Sequence, residues 1–220
     1  MNRGNALNDE PGSSAMPDVS PIVYVVDDDI SVREALEGLI REAGWRTSVF
    51  ASAGEFLAHA RRPSPSCLVL DVTLPDLNGL ELQQRLAAER AEMPIIFITG
   101  YGDVPMTVRA MKAGAIEFLT KPFGDDVLLD AIRGALARST AALGQATEVQ
   151  VLRDRYASLS GREREVMALV VSGLMNKQVG GELGISEITV KAHRGRVMRK
   201  MKAASLADLV NIAGKLHIPH

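Results

Sequence analysis

Residues 22–26 form a continuous apolar run rich in β-branched side chains, Ile-Val-Tyr-Val-Val. That pattern predicts a strand buried on both faces. Residues 31–43 then place Val32, Leu36, Leu39 and Ile40 on one helical face, with Gly44 as the stop. The alternation continues with a strand at 46–50 and a short helix at 52–60, opened by Ser52 and Glu55 as a capping-box pair. A third strand at 67–70 ends on Asp71. A helix at 77–89 and a strand at 94–98 follow. Asp103 caps a helix reaching Ala113, and Pro105 sits in its first turn, where a missing N–H does no harm. The fifth strand covers 117–120, and Asp125 caps a fifth helix. Five such units predict a doubly wound α/β domain, a five-stranded parallel sheet with helices on both faces. Its ligand site belongs in the loops at the carboxyl ends of the strands.

The pattern changes after residue 137. Residues 138–157 favour helix and are expected as a helical linker. Leu129, Ile132, Leu136, Leu143 and Ala146 keep a three–four spacing, and Val149, Leu152, Tyr156 and Leu159 follow in a shifted phase. This suits either a partly exposed linker or a signalling helix with a coiled-coil-like stripe. From Ser160 onward the periodicity is wholly helical. Ser160 and Glu163 form a capping box, and further helices are expected near 176–183, 186–202 and 205–216. Residues 1–20 are rich in Asn, Gly, Ser and Pro and are expected to be a disordered leader. The predicted organisation is a leader at 1–20, an α/β domain at 21–137, a linker at 138–157 and an all-α domain at 158–220.

Composition narrows the class. Apolar residues make up 46% and charged residues 24% of 220, ordinary globular usage. Apolar runs are too short to span a bilayer, no signal peptide is recognisable, and no membrane association is expected. The single cysteine, Cys67, rules out an internal disulfide framework and a Cys-based metal cluster, and makes the cytoplasm the expected location. Charge is unevenly placed. Residues 159–220 carry ten Lys/Arg against five Asp/Glu, a net of +5, which leaves −7 for the rest of a chain whose total is −2. An acidic front and a basic back suggest that only the back meets a polyanion.

Asp27 and Asp28 end the first predicted strand, Asp71 the third, Thr99 the fourth and Lys121 the fifth. All then converge on one sheet edge. Clustered carboxylates repel one another and call for a hard divalent cation with oxygen ligands, Mg²⁺ above all. Lys121 adds a second positive charge and Thr99 a hydroxyl. The set suits phosphoryl transfer onto Asp71 as nucleophile. Asp29, just before a helix, reads as a cap or loop residue.

Val25-Val26-Asp27-Asp28, Asp71-Val72-Thr73-Leu74-Pro75, Asn78-Gly79, Thr99-Gly100 and Lys121-Pro122-Phe123 resemble the receiver domain of two-component response regulators, a flavodoxin-like fold. The resemblance implies phosphorylation of Asp71 by a sensor histidine kinase. It implies Mg²⁺ held by Asp28, Asp71 and the backbone carbonyl of Thr73, with Asp27 acting through water. It implies a switch in which Thr99 moves toward the phosphate and Phe118 turns inward. The face around the fourth helix, with Val104, Val108, Arg109 and Lys112, is then the expected surface for homodimerisation on phosphorylation. Gly100 would leave the acyl phosphate open to water. The expected activity is self-catalysed phosphotransfer and dephosphorylation, not that of a conventional enzyme.

Residues 176–195 fit a helix-turn-helix template. Gly180 lies where two helices approach, Gly184 suits a left-handed turn, and Ser186 caps a second helix carrying Lys191, Arg194, Arg196, Arg199, Lys200 and Lys202. The whole stretch resembles the output domain of NarL/FixJ/LuxR-type regulators, in the FixJ-like branch. By that resemblance Lys191, Ala192 and Gly195 face base edges of double-stranded promoter DNA, and Lys177, Thr189, Arg194 and Arg199 contact phosphates. Met175 stands where a polar cap is expected, and Gly180-Gly181 predicts a soft first helix. His59, His217 and His220 read as surface or tail residues. One alternative is a phosphorylation-independent DNA-binding regulator with a vestigial receiver. Another is a phosphohydrolase, which would want an acid two residues after the nucleophile, where this chain has Thr73.

Overall fold

The computed structural model describes residues 20–60, 63–89 and 93–218. His220 and nearly all of the expected leader lie outside them. The chain divides into two compact units between residues 143 and 144.

The first unit alternates β1 (Ile22–Val26), α1 (Ile30–Glu42), β2 (Arg46–Phe50), α2 (Ala53–Ala58), β3 (Ser66–Asp71), α3 (Gly79–Glu89), β4 (Ile95–Thr99), α4 (Val104–Lys112) and β5 (Glu117–Thr120). The strands form one parallel sheet in the order β2-β1-β3-β4-β5. The winding direction reverses between β1 and β3, which opens a crevice at their carboxyl ends.

Successive strand residues point to opposite faces. Val23, Val25, Cys67, Val69, Ile96 and Ile98 therefore pack with Leu36 and Ile40 of α1. Tyr24, Val26, Leu68, Leu70 and Phe97 take the other face, with Phe56, Leu82, Leu86 and Ala110. Both layers are nearly water-free, which explains the uninterrupted apolar runs of β1, β3 and β4. Cys67 is fully buried, and burial pushes its thiol pKa far above the usual range.

The helix starts follow local chemistry. Asp29 Oδ1 accepts from Ser31 N at 2.8 Å, Ser52 Oγ from Glu55 N at 3.2 Å and Asp103 Oδ1 from Met106 N at 2.7 Å. Asp29 is thus a cap, as expected. Asn78 does the same for Leu80 N at 2.9 Å, so α3 begins at Gly79 rather than Leu77. Asp125, expected as a cap, is instead the first residue of α5 (Asp125–Ala157).

The residues expected as a linker lie within α5, and the division between the units falls inside that helix. Some of its apolar positions are taken up by two cores, while Val127 and Val151 stay exposed. Leu128, Ile132, Ala135 and Leu136 pack in the first unit, and Leu152 with Tyr156 in the second.

The second unit adds α6 (Gly161–Val171), α7 (Asn176–Leu183), α8 (Glu187–Met201) and α9 (Leu206–Lys215). Val166, Met167 and Val170 of α6 meet Val179, Val190, Val197, Met201, Leu209 and Ile212. The predicted capping box is present: Ser160 Oγ accepts from Glu163 N at 3.2 Å and Glu163 Oε2 from Ser160 N at 2.9 Å. The α7–α8 turn depends on two glycines. Gly184 is left-handed with φ of 64°. A Cβ on Gly180 would stand 2.7 Å from the Ile185 carbonyl oxygen, so only hydrogen fits. Among the described residues no helix is long and apolar enough to cross a membrane.

Candidate functional site

The crevice at the carboxyl edge of β1 and β3 gathers the predicted acidic set. Asp27 is fully buried, Asp71 nearly so and Asp28 exposed. One carboxylate oxygen of each lies within 4.8 Å of the other two. Lys121, from the end of β5, reaches across and places Nζ 2.6 Å from Asp27 Oδ2 and 2.8 Å from Asp71 Oδ2. Burial lifts the Asp27 carboxyl above the usual carboxylate range, against the pull of Lys121. Burial also works against the charge on Lys121, but its hydrogen bonds to Asp27 and Asp71 outweigh that and raise its pKa. One cation is thus held between two acids, with the second acid free of water on most sides.

Backbone groups fix both carboxylates. Asp29 N donates to Asp27 Oδ1 at 2.9 Å, and Thr73 N donates to Asp71 Oδ1 at 2.8 Å. Arg33, one turn into α1, donates to the Asp27 carbonyl at 2.6 Å. Gly79 lets α3 start directly against the site, since a Cβ there would lie 2.6 Å from the Asp71 carbonyl oxygen. Asp76 ties down the loop after Asp71 by accepting from Ala53 N at 3.2 Å and Gly54 N at 2.8 Å. Arg33 and Asp76 did not stand out in the sequence. Only the position of Asp76 in a Leu-Pro-Asp loop hints that it closes a turn.

The three carboxylates offer hard oxygen donors, which fit a small divalent cation better than a soft one. Thr99 is buried, and its hydroxyl faces its own loop, accepting from Tyr101 N at 3.2 Å. Phe118 is half-buried on β5, its ring centroid 6.0 Å from that of Phe97. Beside it on α4, Val104 is 76% and Val108 42% exposed, and Arg109 and Lys112 are exposed too.

In the second unit, α8 turns Val190, Val197 and Met201 into the core. The opposite side carries Ile188, Ala192, Gly195 and Arg199, all exposed. Lys177 and Thr189 are exposed as well, and Thr189 Oγ1 lies 2.8 Å from Ser186 Oγ. Several cations are already engaged. Lys191 pairs with Glu187 at 3.0 Å, and Arg194 Nη1 donates to Asn176 Oδ1 at 3.1 Å. Lys200, grouped with the basic face from sequence, instead bonds the buried Glu163 at 2.6 Å and the Ser158 carbonyl at 3.0 Å. It is a strut between α8 and the start of α6. Met175 supplies no side-chain cap for α7, while Gln178 Oε1 accepts from Met175 N at 2.8 Å.

Known proteins match both units. Residues 23–133 match the response regulator receiver domain, and residues 157–213 match the bacterial regulatory proteins of the luxR family. Nodulation protein W of Bradyrhizobium diazoefficiens is 52% identical over 197 residues, spanning 90% of this chain and 87% of its own. Among solved structures, response regulator StyR matches at a TM-score of 0.78 and 53% identity, over 89% of this chain and 99% of its own. Full-length FixJ from B. japonicum matches at 0.52 and 39% identity, over 90% and 98%.

Proposed function

The chain belongs to the two-component response regulators that join a receiver domain to a LuxR-type DNA-binding domain, and we propose that a phosphoryl group on Asp71 governs its hold on promoter DNA. The observation that carries this reading is Lys121, shared between Asp27 and Asp71 at the switch point of the sheet.

The donor is a phosphohistidine of a sensor kinase. An Asp71 carboxylate oxygen bonds to phosphorus as the P–N bond breaks, and the imidazole leaves with the electron pair. Lys121 stands where charge grows on the phosphoryl oxygens. Asp28, Asp71 and the Thr73 carbonyl would hold Mg²⁺, with Asp27 acting through water, and the ion supplies further charge neutralisation when bound. Asp27 and Thr73 N keep the geometry fixed while Asp71 reacts. The Thr99 hydroxyl then leaves its loop partner and donates to a phosphoryl oxygen, and Phe118 turns inward.

That rearrangement biases the face of α4 bearing Val104, Val108, Arg109 and Lys112, where two copies pair. Pairing brings two α8 helices to one DNA duplex, Lys191, Ala192 and Gly195 toward base edges and Lys177, Thr189, Arg194 and Arg199 toward phosphates. Two tethered modules share one effective concentration, so dimerisation raises affinity without a new DNA contact. Water entering beside the exposed Gly100 ends the signal by hydrolysing the acyl phosphate.

The test is beryllium fluoride with Mg²⁺ on wild type and Asp71→Asn, with molecular mass and promoter binding followed together. Wild type should dimerise and gain affinity, and the variant should do neither. If wild type stays monomeric with unchanged affinity, the receiver is vestigial and the DNA-binding unit acts without phosphorylation.

A further inference from the structure

We propose that α8 reads thymine methyl groups through an apolar stripe centred on Ile188, and that this hydrophobic contact sets much of its DNA sequence preference. The inference rests on the DNA-binding reading above and names the chemical feature recognised.

Ile188 is the second residue of α8 and is 81% exposed. An isoleucine so placed gains nothing from the fold. It stands opposite Val190, Val197 and Met201, the three buried residues of the helix, so it is not a core residue displaced by a register error. At 100° per residue, Ala192 and Gly195 follow it along the same outward line. Both are exposed, and a Cβ on Gly195 would meet nothing within 4 Å. The outward face of α8 therefore begins as a smooth strip of one branched aliphatic side chain, one methyl and one bare backbone.

The surroundings say what covers this strip. Lys191 flanks it on one side and Arg196 on the other, and Arg199 continues its line, all exposed. An apolar partner protein would have to bury those cations. A duplex would pair Arg196 and Arg199 with phosphates, leave Lys191 at the edge of the bases, and still offer an apolar surface in the groove. In the major groove that surface is the thymine 5-methyl group. The N-terminal residues of a recognition helix are the ones that reach base edges, and Ile188 lies in the first turn. The lack of a side chain at Gly195 allows close approach of the helix backbone, which brings Ile188 and Ala192 within van der Waals reach of methyl groups. Lys191 is held by Glu187 at 3.0 Å, so the polar group nearest the strip is partly occupied within the protein.

The experiment uses the full chain with beryllium fluoride and Mg²⁺. A randomised double-stranded library is enriched on wild type. The enriched duplex is then resynthesised with deoxyuridine replacing thymidine, one position at a time, which removes only the 5-methyl group. Wild type should lose about fourfold in affinity at one or two positions per half-site, the effect of one buried methyl. Ile188→Ala should bind the thymidine duplex more weakly and lose at most a small fraction further on uracil substitution, while its affinity for a scrambled duplex stays that of wild type. Ile188→Ala should also melt with wild type, because its side chain touches no core. Equal losses on uracil substitution in wild type and Ile188→Ala, or no loss in wild type at any position, would overturn the proposal while leaving DNA binding intact. Failure to enrich any sequence, with no binding to the scrambled duplex, would overturn the DNA-binding reading and this one together.

Discussion

Lys121 Nζ lies 2.8 Å from Asp71 Oδ2 and bonds the buried Asp27 at the same time. The lysine is held in place by the two carboxylates whose charges it offsets. Lys121→Ala leaves Asp27 and Asp71 facing each other with no protein cation between them. Transfer from acetyl phosphate should slow roughly 100-fold, comparable to deleting one electrostatic contact to a developing anion. Phosphate-affinity gel electrophoresis follows the rate, and a rate within twofold of wild type would remove Lys121 from the reaction.

Gly79 is the contact point between α3 and the backbone of Asp71. Gly79→Ala forces a carbon to within 2.6 Å of a carbonyl oxygen unless α3 or the β3 end moves. Overpacking of this kind costs about 1–3 kcal/mol. Thermal unfolding of the first unit should fall accordingly, and phosphorylation of Asp71 should slow. A variant with unchanged stability would mean that α3 gives way freely there.

Glu163 is buried, and its hydrogen bond from Lys200, with the Ser160 N–H, holds its carboxyl below the usual glutamate range. Its folded pKa is therefore lower than its unfolded one. The stabilisation is complete above the ordinary glutamate value and is lost as pH falls through the lowered folded value. Amide exchange of α6 and α8 should accelerate across that acid window in wild type and much less in Glu163→Gln. Glu163→Ala, which strands Lys200 and the Ser160 N–H, should cost about 2 kcal/mol at neutral pH. The same acid dependence in Glu163→Gln would point to another group.

Gly180 and Gly181 are adjacent in sequence and opposite in effect. Gly181 faces open space, so Gly181→Ala should stabilise α7 by about 1 kcal/mol and raise the melting temperature of the second unit. Gly180→Ala, with the Ile185 carbonyl in its way, should lower it. Calorimetry of the two variants decides, and an unchanged or lower value for Gly181→Ala would remove the notion of a soft α7.

The acidic site was legible because a parallel sheet brings the ends of its strands to one edge whatever their spacing in sequence. Asp27, Asp28, Asp71, Thr99 and Lys121 each end or follow a strand, so strand prediction alone placed them together. The caps at Ser52, Asp103 and Ser160 were legible for a similar reason, since a cap needs only neighbours along the chain, although Asp125 was misplaced and Asn78 missed. What stayed hidden depends on contacts between elements. Lys200 looked like one more cation on a basic helix, and only the packing of α6 against α8 shows that it meets Glu163. Asn176 and Arg194 lie on different helices and pair across the turn. Gln83, in the middle of α3, is buried and donates to the Ala110 carbonyl at 3.1 Å, which periodicity does not foretell. The stripe along α5 was visible, but whether it met another helix or two cores was not.

Cys67 is the single thiol in the chain and lies wholly inside β3, four residues before Asp71. Sealed there and kept protonated, it is invisible to alkylating reagents as long as the sheet holds. Its labelling rate is consequently a clock for opening of the first unit alone, with no contribution from the second. Any ligand that tightens the Asp71 crevice must slow that clock, and the chain carries this gauge without the need to engineer one.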